Sequence, residues 1–231
     1  MKFGVIVFPG SNCDRDIATV TRGVLGEDTR MVWHQETDIS DLDVVIVPGG
    51  FSYGDYLRCG AIAQFSPVMN SIIAHAKQGK YVLGICNGFQ ILTEVGLLPG
   101  ALIRNRGLHF VCDRVRVKVE RNDLIWTANY QPQQIITLPI AHGEGCYYGD
   151  ENTLKALEDN DRVLFRYCSS SGETNSDNNP NGSMNNIAGI VNQQGNVLGM
   201  MPHPERAADE NIGSTDGLAM FRGLLNAVAT V

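Results

Sequence analysis

The stretch KYVLGICNGFQIL, residues 80–92, predicts a buried strand, a sharp turn with Cys86 at its tip and the start of a helix. Gly84 and Gly88 stand two residues on either side of Cys86, which is the nucleophile-elbow spacing G-x-S-x-G with cysteine in place of serine. The backbone at such a tip is strained, and a Cβ atom at either flanking position would collide with the neighbouring strand or helix. The dipole of the following helix favours negative charge on the sulfur. The stretch therefore predicts a nucleophilic cysteine.

The alternative is a structural cysteine at the end of a core strand, because free cysteines in proteins are mostly buried. The glycine spacing and the strand-to-helix context favour the nucleophile. A cysteine nucleophile also needs a histidine elsewhere in the chain to accept its proton, and a third group to orient that histidine.

Length and charge limit the classes of protein to which the chain can belong. Its 231 residues suffice for one large α/β domain, and we expect a single domain over residues 1–231. Lys and Arg number 18 against 25 Asp and Glu, which gives a net charge of -7. Such a chain is a poor match for nucleic acid or an anionic membrane surface, so a protein or small-molecule partner is expected.

Cysteine spacing and hydropathy indicate the cellular compartment. The six cysteines are widely scattered without a C-x-x-C pair, so the sequence predicts neither a metal site nor a dithiol redox motif. The N-terminal apolar run is too short for a signal peptide, and no stretch approaches the length of a membrane span. These features predict a reducing, cytoplasmic location.

Short apolar runs alternate with helical segments in the first half of the chain. Residues 3–8, 29–33 and 43–47 are predicted strands, and glycine turns follow the first and the third. The alternation predicts an α/β fold with a doubly wound, mostly parallel sheet flanked by helices, whose ligand crevice lies beyond the carboxyl ends of the strands. Pro9-Gly10, the turn at residues 48–50 and Cys86 all follow such ends, so we expect them to meet.

The loop of residues 48–60 is rich in glycine. Its glycines let backbone N–H groups approach a ligand closely, as an oxyanion hole requires, although an ordinary strand-to-helix loop is equally compatible with them. Residues 54–58 are unusual for a filler loop, because they place Asp55 and Arg58 beside the predicted site.

The remaining elements are predicted from periodicity and turn residues. Ser11 or Asn12 is expected to cap the first helix, which runs to about Leu25. We further expect a helix over 61–78 with a break near Pro67 and a helix over 153–158. β structure is expected over 101–120, with strands over 135–141 and 162–167 and a hairpin of 187–192 and 197–201. Residues 169–183 are predicted to be a surface loop, and a last helix is predicted to have Leu218, Phe221, Leu225 and Val228 on one face.

Two histidine-carboxylate pairs could supply the base, His142-x-Glu144 and His203-x-Glu205. In extended backbone, residues two apart project to the same face, so either pair could set a carboxylate against an imidazole. The prolines on both sides of His203 hold its segment extended, whereas glycines surround Glu144 and suit a mobile contact loop. The sequence thus favours His203. The other three histidines are most simply structural or exposed.

The chain resembles the class I, or triad, glutamine amidotransferases. Residues 84–90 resemble the G-x-C-x-G-x-Q nucleophile motif of the family, and residues 202–205 resemble its P-x-P-E base motif. The turn at residues 48–50 falls where the family has its oxyanion loop. Three further segments, residues 8–14, 49–58 and 140–145, also resemble one branch of the family, so the likeness runs nearly end to end.

The resemblance implies a role for each matching residue. Cys86 would attack the side-chain amide of glutamine, while His203 carries protons and Glu205 orients His203. Backbone N–H groups near Gly50 or Phe51 and at Asn87 would hold the oxyanion. The residues that would bind the oxyanion and the substrate are Gly50, Phe51, Asn87 and Gln90, and we expect Arg58, His142 and Glu144 to face a partner.

The same resemblance implies partners. In this branch a separate synthetase subunit consumes ATP with magnesium and uses the ammonia, and a small third subunit bridges the two. The sequence has neither a G-x-x-x-x-G-K-[ST] loop nor a dinucleotide fingerprint, so no cofactor is expected in this chain.

Three other interpretations are compatible with parts of the sequence. A stand-alone cysteine hydrolase can share the elbow and the sheet, but it would have no need of the base motif at residues 202–205. A glutaminase that serves a different synthetase would differ only in its partner. A flavodoxin-like binding module would make no use of Cys86.

Overall fold

The computed structural model describes residues 1–228 and gives side-chain environments up to residue 225. The chain forms two compact units. Unit 1 is Met1–Leu98 with Asn192–Gly199, and unit 2 is Pro99–Val191 with the chain from Met200 onward. A single domain over residues 1–231 stays a prediction, and residues 229–231 lie outside the described part.

Strands alternate with helices along the chain. Within the described residues the strands are β1 (Lys2–Val7), β2 (Asp28–Trp33), β3 (Val44–Val47), β4 (Tyr81–Ile85), β5 (Ala101–Ile103), β6 (Val111–Val119), β7 (Ile135–His142), β8 (Cys146–Tyr148), β9 (Val163–Tyr167), β10 (Ile187–Val191) and β11 (Val197–Met200). The α-helices are α1 (Asp14–Ala18), α2 (Pro67–Lys77), α3 (Asn87–Glu94), α4 (Glu151–Asp159) and α5 (Leu218–Val228).

The strands of unit 1 lie in the order β2-β1-β3-β4-β11. β1 pairs with β2 and with β3, and β3 pairs with β4, all in parallel. All four residues of β3 are buried, as expected for a strand that is covered on both faces. Helix α1 contacts β1, and α2 and α3 contact β4, so these helices flank the parallel strands.

The register of unit 1 brings three chain turns to one edge. Val47, the last residue of β3, pairs with Gly84, next to the end of β4. Because β1, β3 and β4 are parallel neighbours, Pro9, the glycine turn at 48–50 and Cys86 all follow carboxyl ends at the same edge. The prediction that these turns lie together is confirmed.

The strands of unit 2 lie in the order β10-β9-β6-β7, and their mutual pairings are antiparallel. β5 and β8 form a separate antiparallel pair. On β6, Val117 and Val119 are buried while Arg116 is exposed, which confirms the predicted half-exposed strand. The last helix, α5, buries Leu218 and Phe221, and the side chain of Val228 lies outside the described part.

Two local predictions were wrong. Neither Ser11 nor Asn12 caps α1, because the N-cap position is Cys13 and no side chain caps this helix. The segment 169–183 is not entirely a surface loop, because Asn181 and Ser183 at its end are buried. The break predicted near Pro67 is confirmed, because a 3₁₀ turn, Ala63–Phe65, ends before Pro67 begins α2, where its missing N–H costs nothing.

The predicted fold class is confirmed. The chain is an α/β protein with a parallel sheet flanked by helices, and the parallel pairings are those of unit 1. Between residues 1 and 228 no helix combines the length and the apolar character needed to cross a membrane.

Candidate active site

Cys86 occupies the tip of a nucleophile elbow in unit 1. Its backbone dihedrals are φ 52° and ψ -106°, a conformation that residues with a side chain rarely adopt, and it is 5% exposed. An added Cβ at Gly88 would lie 1.9 Å from the carbonyl oxygen of Val47, and one at Gly84 would lie 2.8 Å from the carbonyl of Gly88. The predicted need for glycine on both sides of Cys86 is confirmed.

Helix α3 starts directly behind the nucleophile. The backbone N–H of Gln90 donates to the carbonyl of Cys86 at 3.2 Å, which closes the first turn. The N–H groups of Asn87 and Gly88 precede this first bond, so the helix leaves them without an acceptor inside its own ladder. A helix N-terminus with such donors can stabilise an anion formed next to Cys86.

The glycine turn at residues 48–50 runs antiparallel to the turn after β1. The N–H of Phe51 donates to the carbonyl of Gly10 at 3.1 Å, and the N–H of Asn12 donates to the carbonyl of Gly49 at 3.4 Å. Gly50 lies opposite Ser11 between these bonds, so its own N–H points away from that neighbour. This pairing therefore does not engage the N–H of Gly50. In this conformation the N–H of Phe51 is already engaged, which corrects its predicted role.

The next residues of the loop adopt left-handed backbone. Tyr53, Asp55 and Leu57 have φ values of 56°, 53° and 71°, which are uncommon for residues that carry a side chain. The Tyr53 hydroxyl lies 2.8 Å from both His34 Nδ1 and Ser66 Oγ. Burial lowers the pKa of His34. The loop is thus strained and held by a polar contact at Tyr53.

Two predicted substrate-binding side chains contact each other. Gln90 is buried, and its Oε1 accepts a hydrogen bond from Asn87 Nδ2 at 2.9 Å. The Asn87 Oδ1 accepts the backbone N–H of Ser52 at 3.1 Å. The Asn87 side chain therefore joins the loop to the start of α3.

The predicted base and its orienting carboxylate pair within unit 2. His203 Nδ1 lies 2.6 Å from Glu205 Oε1, and both side chains are buried. The carboxylate accepts a hydrogen bond from the Nδ1–H group, which leaves Nε2 as the basic nitrogen. The backbone N–H of His203 donates to the carbonyl of Pro139 on β7 at 2.8 Å. This is the geometry of an oriented general base.

The backbone at this pair differs from the extended segment that the prolines predict. His203 is extended, with φ -101° and ψ 90°. A short 3₁₀ turn, Pro204–Ala207, then begins with the fixed φ of Pro204 and carries Glu205 back toward the imidazole. The pairing was predicted correctly, but the extended conformation was wrong for Glu205.

The competing pair at residues 142–145 does not form a base. His142 is 3% exposed, its Nδ1 lies 3.2 Å from Asn105 Oδ1, and its Nε2 lies 3.5 Å from Asn181 Nδ2. Glu144 instead lies 3.9 Å from Arg104 Nε. Burial, and after it the nearby His203 ring, lowers the pKa of His142 to about 4. His142 is thus a buried, neutral group, and the prediction that its side chain faces a partner was wrong.

The other two predicted partner-facing residues lie at or near the surface. The Arg58 side chain is 60% exposed, and its Nε donates to Glu94 Oε1 at 2.8 Å at the end of α3. Glu144 is partly exposed. Surface ion pairs of this kind contribute little to stability. That Arg58 and Glu144 face a partner stays a prediction.

The amino-acid pattern did not reveal the asparagines that hold residues 142–145. Asn105 Oδ1 accepts the N–H of Gly145 at 2.9 Å, and Asn181 Nδ2 donates to the carbonyl of Gly145 at 2.7 Å. Both asparagines come from polar segments far away in sequence, where no periodicity marks a single buried amide. The only sequence feature that pointed to this segment was the glycine on each side of Glu144.

Comparison with known proteins identifies the family. A model of the CobB/CobQ-like glutamine amidotransferase domain matches residues 1–216. The chain belongs to this family. The predicted resemblance to the glutamine amidotransferases is confirmed. The catalytic roles of Cys86, His203 and Glu205 stay predictions.

Relatives of this amidotransferase match it over nearly the whole length. It is 71% identical over 228 residues to phosphoribosylformylglycinamidine synthase subunit PurQ of Acaryochloris marina, covering 99% of this chain and 97% of the relative. It is 73% identical over 220 residues to the protein of the same name from Synechocystis, covering 95% and 98%.

One solved structure is similar in sequence and in fold. The structure of PurLQS from Thermotoga maritima superposes with a TM-score of 0.87 at 41% identity and covers 98% of each chain. A glutamine amidotransferase of the same organism superposes with a TM-score of 0.61 at 15% identity, which shows a common fold.

Proposed function

We propose that this amidotransferase is the glutaminase subunit of a cytoplasmic phosphoribosylformylglycinamidine synthase, in which it hydrolyses glutamine to glutamate and ammonia. The similarity to the PurQ relatives over almost the full chain carries the proposal. The strained elbow at Cys86 and the buried His203–Glu205 pair supply the chemical groups that glutamine hydrolysis needs.

The first half of the reaction forms a thioester. His203 takes the proton of Cys86, and the thiolate attacks the side-chain amide carbon of glutamine to form a C–S bond. The tetrahedral intermediate then breaks its C–N bond. Because His203 returns the proton to the leaving nitrogen, ammonia departs as a neutral molecule and a γ-glutamyl thioester remains on Cys86.

The second half regenerates the enzyme. Water attacks the thioester carbon while His203 accepts its proton, and the C–S bond then breaks to release glutamate. Glu205 keeps the Nδ1 proton of His203 in place throughout, so that Nε2 faces the reaction in the basic form.

Backbone N–H groups stabilise the charge on the oxygen in both steps. The N–H of Asn87 at the start of α3 is one donor, and the N–H of Gly50 is the other. Each such donor typically contributes about 3 to 4 kcal/mol to the transition state. Gln90 supports this arrangement through its hydrogen bond with Asn87.

The ammonia is used by another subunit. Free ammonia would be protonated and lost in water, so it passes to a synthetase subunit that binds ATP and magnesium and converts formylglycinamide ribonucleotide to the amidine. A small third subunit bridges the two. The name of the Thermotoga maritima structure, PurLQS, supports such an assembly, and the exposed Arg58 and the partly exposed Glu144 are proposed to face it.

Labelling with an electrophilic glutamine analogue tests the proposal. The chain is treated with a diazoketone analogue of glutamine, with and without excess glutamine, and each cysteine is quantified by mass spectrometry. Cys112 is exposed and Cys86 is buried, so a non-specific reagent modifies Cys112 first. Labelling of Cys86 that glutamine blocks, while Cys112 stays unmodified, is the expected result.

The partner is tested in the same experiment. Labelling is repeated with the synthetase subunits, ATP and formylglycinamide ribonucleotide present, and conversion to the amidine is measured. Labelling of Cys86 that excess glutamine does not reduce under these conditions would overturn the glutaminase role. Glutamine-blocked labelling without amidine formation would retain the glutaminase but reject this synthetase as its partner.

A further inference from the structure

The side chain of Asn87 makes a set of contacts that the proposed chemistry does not use. It is 1% exposed, and its three polar contacts all lie within unit 1. Oδ1 accepts the backbone N–H of Ser52 at 3.1 Å, and Nδ2 faces Gln90 Oε1 at 2.9 Å and Asp55 Oδ1 at 3.3 Å. One buried amide therefore satisfies a backbone donor, a side-chain amide and a carboxylate.

The loop that Asn87 contacts does not rest in a relaxed conformation. Tyr53, Gly54, Asp55 and Leu57 all have positive φ. Backbone of this kind persists only where surrounding contacts determine it, because each left-handed residue with a side chain is disfavoured. The loop must therefore be held from outside.

Both ends of helix α3 make contacts that hold the loop. Asn87 is the first residue of the helix and contacts Ser52 and Asp55, while Glu94, the last residue, binds Arg58. The two anchors differ in burial. Arg58 is largely exposed, whereas the contacts of Asn87 are shielded from water, where a hydrogen bond fixes geometry more strongly.

We propose that the side-chain amide of Asn87 is a positioning residue that sets the oxyanion loop against the nucleophile elbow. This inference rests on the proposed glutaminase function. The amide acts through Ser52, which lies two residues after the donor Gly50. Its role is separate from that of the Asn87 backbone N–H, which every substitution except proline retains.

The chemistry of the site requires an amide at this position. An alanine would leave the Ser52 N–H without its acceptor and would release Asp55 and Gln90. An aspartate would keep the acceptor for Ser52 but would set a second carboxylate against Asp55. Only a group with an acceptor and a donor satisfies all three neighbours.

The test compares Asn87→Ala with a matched control, Asn196→Ala. Asn196 is also a buried amide of unit 1, and its Nδ2 donates to the carbonyls of Ala76 and Lys80, both at 2.8 Å, away from the elbow. The readouts are glutamine kinetics in the complex with the synthetase subunits, and the affinity of the chain for an aldehyde analogue of glutamine. That aldehyde forms a tetrahedral adduct with a thiolate and therefore reports the oxyanion site.

Asn87→Ala is expected to lower kcat and the aldehyde affinity by about 10- to 100-fold, because misplaced oxyanion donors act on the tetrahedral state. The KM for glutamine should change by less than about threefold, since ground-state binding is not the target. The reaction of Cys86 with iodoacetamide should stay at the wild-type rate. Asn196→Ala should lower thermal stability but leave kcat and the aldehyde affinity within about twofold.

A second pair of variants keeps the test valid if Asn87→Ala folds poorly. Asn87→Asp places two carboxylates together, and the double variant Asn87→Asp with Asp55→Asn restores one donor and one acceptor between the two positions. The double variant should recover kcat at least about fivefold relative to Asn87→Asp alone, as expected for residues in direct contact.

The outcomes separate this inference from the proposed function. If the wild-type protein neither binds the aldehyde nor hydrolyses glutamine in the complex, the glutaminase function fails. If the wild type does both and Asn87→Ala behaves like Asn196→Ala, the positioning role is overturned. It is also overturned if the iodoacetamide rate at Cys86 falls with kcat, or if the double variant recovers nothing.

Discussion

The nucleophile region of unit 1 and the base region of unit 2 are built in different ways. At Cys86 the backbone is forced into a conformation that few residues adopt, and two glycines make room for it. At His203 the backbone is ordinary, and a short hydrogen bond to a buried carboxylate orients the imidazole. The first region therefore depends on shape, and the second depends on charge and proton position.

The difference predicts which substitutions each region tolerates. Adding one methyl group to a neighbour of Cys86 should damage the fold, whereas adding or removing one proton acceptor beside His203 should damage only the chemistry.

Removal of the nucleophile is expected to have the largest effect. Cys86→Ala should lower glutamine hydrolysis by about 10⁴-fold or more, as for nucleophile removal in hydrolytic triads. Cys112→Ala is the control, because that thiol is exposed on β6, and it should keep wild-type hydrolysis. The measurement is glutamate release in the complex. Residual hydrolysis above a few per cent in Cys86→Ala would contradict the thioester mechanism.

The orienting carboxylate comes next. Glu205→Gln keeps the size of the side chain but can donate to Nδ1 of His203, which favours the wrong tautomer. We expect kcat to fall by about 10³-fold, which is less than the roughly 10⁴-fold loss that replacing the carboxylate of a serine-protease triad causes. Thermal stability should change far less than kcat. A large loss of stability with retained kcat would mean that the base region also depends on shape.

A methyl group at the elbow should act on stability. Gly88→Ala would place Cβ 1.9 Å from the carbonyl oxygen of Val47, so we expect a loss of about 3 kcal/mol or more in the free energy of unfolding. Gly23→Ala is the matched control, because its Cβ would meet only Thr19 at 4.0 Å. Urea denaturation of both variants checks the prediction. Equal stability of the two would show that the elbow can relax.

Acid should weaken both units through one buried histidine each. Burial and then Lys80 lower the pKa of His75 to about 4, and burial and then His203 lower that of His142 to about 4. The unfolded chain has ordinary histidine pKa values near 6.5 and binds more protons below that pH. The free energy of unfolding should therefore fall as pH drops from about 6.5 to about 4, by about 2 kcal/mol per histidine at pH 5.

Single variants assign this acid effect to its source. His75→Gln and His142→Gln should each show a smaller loss of stability between pH 7 and pH 5 than the wild type, as measured by urea denaturation. Wild-type pH dependence in both variants would mean that other groups carry the acid sensitivity.

The smallest expected effect concerns the strain at the nucleophile. Cys86→Gly removes the side chain that disfavours φ 52°, whereas Cys86→Ala retains a Cβ and the strain. We expect the glycine variant to be more stable than the alanine variant by about 1 kcal/mol. Differential scanning calorimetry of the two inactive variants measures this difference. A more stable alanine variant would show that the elbow is relaxed.

The sequence was most informative where a constraint is local. Gly84, Cys86 and Gly88 are neighbours in the chain, so their steric requirement is visible in the spacing. His203 and Glu205 are also two residues apart, and the structure joins them by a hydrogen bond. Parallel strands could be read from apolar runs because they are buried on both faces.

Contacts between distant residues could not be predicted in this way. The amide of Asn87 reaches Ser52, 35 residues earlier, and Asn105 reaches His142, 37 residues later. A single polar residue carries no periodicity, so its burial is decided by tertiary contacts. For the same reason the sequence did not show that the N–H of Phe51 is donated to Gly10.

Pro139 affects the edge of the unit 2 sheet in two ways. It lies within β7, the last strand in the order β10-β9-β6-β7, and has no N–H to offer on the outer side. An outer strand of another molecule would find no donor at this position, which protects the edge from aggregation. The outward carbonyl of the same residue binds the N–H of His203. Pro139 therefore both limits pairing at this edge and holds the backbone of the proposed base in place.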